Sequence, residues 1–249
     1  MEQSPALVII TGGTRGIGLA TAKVLAAQGY ALELWYNSRK SDAESAAAQL
    51  QQFAVPLVCR QVNIVDRQQV HGAMDVAMQR CGAIHGLVNN AGILQQKPFA
   101  TITDEDWDRM IDVNLKGAFI CSQEIMVRMV GKGGVIVNVA SSGGQLGGML
   151  AVHYAVTKAG IIALTKSLAR VGAANAIRAN CVSPGLIVTE MTQGELNSDV
   201  GRDKIALHVP LARAGEAQEV ANAIAYLLSD KASYITGQTL NINGGLYMG

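Results

Sequence analysis

ALVIITGGTRGIG, residues 6–18, runs from an apolar stretch through a glycine-rich turn into a helical pattern. The stretch 6–11 has the length and β-branched content of a strand buried on both faces. Helical periodicity follows over 16–28 and stops at Gly29. A strand that enters a helix through a tight turn is the first half of a parallel βαβ unit.

The rest of the chain repeats this alternation. Further apolar runs at 31–36, 56–62, 84–90, 135–141, 177–183 and 238–243 read as strands. Helical patterns fill 42–53, 67–80, 104–129, 154–172 and 216–229, and Thr103 with the acids behind it reads as an N-cap. The expectation is an α/β fold, a doubly wound parallel sheet of about seven strands with helices on both faces. No Pro- or Ser-rich linker interrupts the pattern, so residues 1–249 read as a single domain. Ligands of such sheets sit beyond the carboxyl ends of the strands, where small, polar and glycine-rich segments stand in this chain.

Composition narrows the function classes. Nearly half the residues are hydrophobic, enough for a sizeable core, and net charge is only +1. No long-range field favours nucleic acid or an anionic membrane. The N-terminal segment lacks the basic region of a signal peptide, and no stretch approaches the ~20 apolar residues of a membrane span. Cys59, Cys81, Cys121 and Cys181 form no CxxC pair, so neither metal nor disulfide is expected and a cytoplasmic location is.

TGGTRGIG (11–18) suits a pyrophosphate. Glycines at 12, 16 and 18 permit a tight turn and close backbone approach, and the helix start behind them offers free N–H groups. Strand two ends in WYNSRK (35–40) without an acid to hold ribose hydroxyls. It offers Ser38, Arg39 and Lys40, with Arg15 in the glycine turn. A guanidinium fork suits a phosphate, which favours NADP(H) over NAD.

HYAVTKAG (153–160) carries the chemistry. Tyr154 and Lys158 share a helix face. A phenol titrates near ~10, and a neighbouring ammonium is expected to lower that value toward a useful range. Ser141 closes the strand VIVNVAS, where its hydroxyl can reach the oxygen that Tyr154 protonates. His153 points away from its neighbour on a helix and is not expected to act.

TGGTRGIG, NNAG, VNLKG, Ser141, Tyr154-x-x-x-Lys158 and SPGLIVT stand in the order and spacing of the short-chain dehydrogenase/reductase family, and the chain resembles it over its whole length. The resemblance implies a Rossmann fold and a catalytic set of Asn114, Ser141, Tyr154 and Lys158. In the family the tyrosine is the acid or base. The lysine holds the nicotinamide ribose and tunes the phenol, the serine orients the carbonyl, and the asparagine anchors a water in a proton relay. Ser141 rather than Ser142 has the family separation from the tyrosine.

The resemblance also implies the cofactor contacts. Gly12, Thr14, Arg15, Gly16, Ile17 and Gly18 line the pyrophosphate side; Asn37, Ser38 and Arg39 the 2′-phosphate. Asn63 and Ile64 meet adenine, and Asn90, Ala91 and Gly92 pass the ribose. Pro184, Gly185, Ile187 and Thr189 hold the carboxamide end, with Tyr154 and Lys158 beside the nicotinamide.

HVPLARAGEAQEVANAIAYLLSD (208–230) and the tail 237–249 resemble the beta-ketoacyl-ACP reductases within that family. This implies reduction of a beta-ketoacyl thioester on acyl carrier protein, in fatty-acid or polyketide-type synthesis, by a homotetramer. A dimer or a hetero-assembly with a relative stays open. One of the two basic carrier-docking positions matches Lys132; the other falls on uncharged Asn175, where Arg128, Arg170 or Arg178 could compensate. A reductase of a free ketone, sugar or secondary alcohol is the alternative. Residues 189–207 read as a lid over the substrate.

Overall fold

The computed structural model describes residues 5–190, 192 and 205–249. Seven parallel strands form one sheet: β1 (Leu7–Thr11), β2 (Ala31–Tyr36), β3 (Leu57–Gln61), β4 (Gly86–Asn89), β5 (Gly134–Val139), β6 (Ile177–Pro184) and a last strand (Thr239–Ile242). The spatial order is β3-β2-β1-β4-β5-β6 and then the last strand. The chain winds outward from β1 in one direction and from β4 in the other, which puts the topological switch point between β1 and β4. All seven strands lie within the stretches their apolar runs predict, to within one residue.

Alternation along each strand splits the core. Leu7, Ile9, Leu87, Ile136 and Ala179 face one side, and Val8, Ile10, Val88, Val137 and Val182 the other. The first set packs against α3 (Arg67–Cys81), α5 (Gly117–Met129) and α7 (Val152–Gly172). The second packs against α1 (Gly16–Ala27), α2 (Lys40–Leu50) and α8 (Ala217–Leu228). Both faces are therefore covered, as an all-parallel sheet requires. Among the described residues no helix is long and apolar enough to cross a membrane.

Three local features depart from the expected pattern. The helix expected over 104–129 is interrupted. α4 (Asp104–Ile111) passes through a wide π turn (Asp112–Lys116) before α5 begins. The extra residue re-aims Asn114 inward, where it is buried. A short helix, α6 (Gly143–Leu146), fills the glycine-rich stretch after β5. β7 (Ile187–Val188) pairs with β8 (Gly215–Glu216) beyond the main sheet. Thr103 caps α4 as expected, in a reciprocal box with Asp106.

Two charged groups hold elements in place. Glu33 lies in the middle of β2, fully buried, and accepts from Arg60 Nε at 2.7 Å, Arg80 Nη2 at 3.0 Å and Trp35 Nε1 at 3.0 Å. A carboxylate so deep is tolerable only with its lone pairs filled. Glu124 ties α5 to α3 through Arg67 (2.9 Å) and His71 (2.9 Å), with Arg128 beside it (3.1 Å). Burial pushes the Glu124 carboxyl up, but hydrogen bonds from His71, Arg128 and Arg67 overcome it and bring the value down to about 2. A depressed carboxylate contributes stability above its unfolded value, near ~4.3, which is lost as pH falls through the folded value. Acid unfolding should therefore draw on this group between pH ~4.5 and ~2, and Glu124→Gln should flatten that part of a stability-against-pH curve. A variant curve parallel to wild type throughout would remove Glu124 from the acid response.

Candidate active site

The carboxyl ends of the strands open into a cleft of about 930 Å³. It is lined by the glycine turn, the ends of β2 and β3, the segment after β4, Ser141, Tyr154, Lys158 and the Pro184–Thr189 segment. The expected cofactor and catalytic residues thus come to one place, except that Gly18 and Asn114 stand behind its wall.

The glycine turn is shaped by contacts that no larger residue could share. Gly12 and Gly16 have φ of +61° and +51°, in the left-handed region. A Cβ on Gly18 would sit 2.2 Å from the Gly12 carbonyl oxygen and 2.7 Å from Asn90 Nδ2. That amide braces the turn, donating to Thr11 O at 3.1 Å and Gly12 O at 2.9 Å. By contrast a Cβ on Gly16 would meet nothing nearer than Thr189 Cγ2 at 3.7 Å. The turn is therefore backed by protein and open toward the cleft, ahead of the α1 N-terminus. This is a fit for a pyrophosphate.

At the other edge, Asn37, Ser38 and Arg39 are exposed. Arg15 and Arg39 converge on Glu190, whose carboxylate lies 3.1 Å and 3.4 Å from their Nη1 atoms. An anion held by two guanidinium groups marks where a phosphate of a dinucleotide would go, so this end too fits an NADP-type cofactor. Ile64 is buried at the end of β3, with Asn63 exposed beside it, its Oδ1 accepting from Val65 N.

Tyr154 projects from the first turn of α7 and Ser141 follows β5. Burial pushes the phenol above its ordinary value, and a hydrogen bond with Ser141 pulls it back only in part. Lys158 Nζ stands 5.7 Å from the centre of the phenol ring and donates to Val139 O at 2.8 Å. The expected lowering of the phenol by this ammonium is not what dominates. Desolvation wins, and it also brings Lys158 itself down to about 8. Ser142 is structural, its N–H donating to Pro184 O at 2.8 Å and its carbonyl accepting at the α6 N-terminus.

Asn114 uses its whole side chain on neighbours. Oδ1 accepts from Ile93 N at 2.8 Å, and Nδ2 donates to Ile93 O at 2.9 Å and Thr157 Oγ1 at 3.3 Å. It thereby fixes the segment after β4 against α7. Gly92 is where these parts close in, because a Cβ there would lie 3.2 Å from Asn114 Oδ1 and 3.6 Å from Lys158 Nζ.

Several contributors had no clear mark in the sequence. His153 is fully buried and pairs with Gln95 Oε1 at 2.8 Å. Gln95 donates on to Asp106 (2.8 Å), which Lys97 also contacts. This chain fastens the segment after β4 to the starts of α7 and α4. Asn89 joins Asn138 Oδ1 (2.8 Å) and Ser122 Oγ (2.9 Å), and Asn138 donates to Thr165 Oγ1 (2.8 Å), under the floor of the cleft. The paired positions Asn89 and Asn138 in β4 and β5 were the available signal.

The positions expected to dock a carrier lie elsewhere. Lys132 and Asn175 precede β5 and β6, at the amino edge of the sheet, opposite the cleft of the same chain. Lys132 donates to Gly82 O. Arg128 is engaged with Asp75 and Glu124, and Arg178 with the carbonyls of Ser229 and Ile235, while Arg170 is exposed. Of the expected lid, Met191 and Leu196 fall outside the described residues. Met149 and Leu150, between α6 and α7, are exposed and are not among the residues lining the cleft.

The chain and its fold have relatives among known proteins. The family described as Enoyl-(acyl carrier protein) reductase matches residues 12–247. The chain is 39% identical over 241 residues to the 3-oxoacyl-(acyl-carrier-protein) reductase FabG of Staphylococcus aureus (strain N315), covering 96% of this chain and 97% of that one. It is 38% identical over 243 residues to FabG of Escherichia coli (strain K12), covering 97% of each. Among solved structures it resembles levodione reductase (33% identity, TM-score 0.92, 97% of each chain). It also resembles a glucose/ribitol dehydrogenase from Brucella melitensis (33% identity, TM-score 0.91, 99% of each chain).

Proposed function

The chain belongs to the short-chain dehydrogenase/reductase family, and on that premise we propose that it reduces the ketone of a beta-ketoacyl thioester, carried on acyl carrier protein, with NADPH. The observation that carries this reading is a buried phenol kept above its ordinary pKa, with a serine hydroxyl at its side, on the wall of a dinucleotide-shaped cleft. A phenol in that state holds its proton at neutral pH, which suits a donor to a carbonyl oxygen.

Bound NADPH supplies the hydride. The chain's own residues do the rest. Arg15 and Arg39 hold the 2′-phosphate, and the glycine turn with the α1 N-terminus holds the pyrophosphate. Ser141 donates to the substrate oxygen and fixes the carbonyl plane. Tyr154 releases its proton to that oxygen as charge develops on it. Lys158, with a value near 8, is an ammonium over most of the neutral range and favours the phenolate left behind. Asn114 ties Ile93 to Thr157 of α7, the helix that carries Lys158. The 1–249 unit acts as one dinucleotide-binding domain, with the lid near 189–207 bounding the substrate.

We place the enzyme in the cytoplasm as a homotetramer. Apolar side chains left exposed on α5 and α7, Phe119, Val127, Val156 and Val171, are the support for assembly. If Lys132 guides the carrier, it does so for the cleft of a neighbouring chain.

A second reading is reduction of a free ketone, sugar or secondary alcohol. It is favoured by the likeness to levodione reductase and by Asn175. NADPH oxidation with acetoacetyl-ACP and, in parallel, a free beta-keto ester decides between them. Turnover confined to the free ester would defeat the carrier reading. Arg39→Ala should weaken NADPH binding by ~10- to 100-fold and leave NADH nearly unchanged. Equal losses for both would sink the 2′-phosphate assignment.

A further inference from the structure

Arg15 leaves the turn after β1 and Arg39 follows β2, yet both point at one oxygen, Oε2 of Glu190, at 3.1 Å and 3.4 Å. Glu190 comes from the opposite side of the cleft, two residues beyond β7. The three side chains border both the main cleft and a neighbouring hollow of about 420 Å³. The ion triad is thus a strap across the cleft, standing between the two hollows.

The strap is displaceable. The side chains of Arg15, Arg39 and Glu190 are 40%, 59% and 63% exposed, and ion pairs in that setting are screened and weak. A phosphate offers three acceptor oxygens where the carboxylate offers one shared oxygen, so it holds both guanidinium groups better.

We propose that Glu190 is a specificity-determining residue, an internal anion that occupies the 2′-phosphate position and must be displaced by it. The inference rests on the NADP reading above. A ligand with a 2′-phosphate takes both arginines and frees Glu190; one without it leaves the strap in place. Glu190 therefore reduces the margin by which 2′-phosphorylated ligands are preferred.

The test is calorimetric titration of the full chain with adenosine 2′,5′-bisphosphate and with ADP, which needs no turnover. Glu190→Gln keeps the shape and removes the charge. It should tighten the bisphosphate by about 2- to 10-fold and change ADP less than about 2-fold. An unchanged or weaker bisphosphate, or ADP tightened by the same factor, would overturn the proposal. Arg39→Ala, measured alongside, separates the two levels. If it weakens the bisphosphate while Glu190→Gln does nothing, the competitor role alone fails. If it leaves the bisphosphate unchanged, the 2′-phosphate site itself fails and the inference with it.

Discussion

Tyr154→Phe is expected to lower turnover by about 10²–10⁴-fold while NADPH still binds within a few-fold of wild type. The substitution removes one hydroxyl and keeps the ring, so the packing of α7 against the cleft wall is retained. On the proposed reading, what is lost is the one group among the described residues placed to give a proton to a carbonyl oxygen that Ser141 also touches. Lys158 cannot stand in, because its ammonium is directed at Val139 O. His153 cannot either, because it is buried against Gln95 on another face of the helix. On the proposed reading, cofactor affinity rests with the glycine turn and the arginines, at a distance from the lost oxygen. Residual turnover within about tenfold of wild type would take the proton-donor role from Tyr154. Measuring NADPH binding on the same preparation keeps that result separate from misfolding.

Gly18→Ala should weaken NADPH binding by about 10- to 100-fold or more, with a loss of stability of roughly 1–3 kcal/mol. The reason is geometric. The added methyl would lie 2.2 Å from the Gly12 carbonyl oxygen and 2.7 Å from Asn90 Nδ2. The nearer obstacle is backbone and cannot rotate away. Either the turn at Gly12 moves, or the Asn90 brace breaks and two carbonyl bonds go with it. Gly72→Ala in α3 is the matched control. A Cβ there meets nothing within 4 Å, so the helix should gain roughly 0.5–1 kcal/mol and binding should not move. Equal behaviour of the two variants would mean that the turn is not the cofactor's seat.

Much of this was legible in the sequence because parallel sheets write themselves plainly. A strand buried on both faces is apolar along most of its length, so β1, β4 and β5 stand out as runs. Gly12, Gly16 and Gly18 are visible for a similar reason, since a side chain at these positions would be strained or would collide. Tyr154 and Lys158 lie one turn apart, and helix geometry alone puts them on one face. Ser141 stands out by its place at the end of a strand.

Other parts could not be read that way. The π turn at Asp112–Lys116 has ordinary helical composition, and only the contacts of Asn114 with the segment after β4 and with α7 select the wider turn that buries it. Glu33 looks like a surface residue in a strand until Arg60 and Arg80 arrive from β3 and α3 to fill its oxygens. The link from His153 through Gln95 to Asp106 joins three segments far apart along the chain, and no pattern within any one of them foretells the contact.

By itself, the sequence determined the element order, the two-faced core and the motif residues, because these follow from periodicity and from the conformational limits of glycine. The tertiary structure alone decided the state of the site's charges. Desolvation outweighs the Ser141 hydrogen bond at Tyr154, and one carboxylate, Glu190, meets two arginines from far along the chain. Burial and charge proximity depend on distances across the fold, and residue spacing along a chain does not encode them.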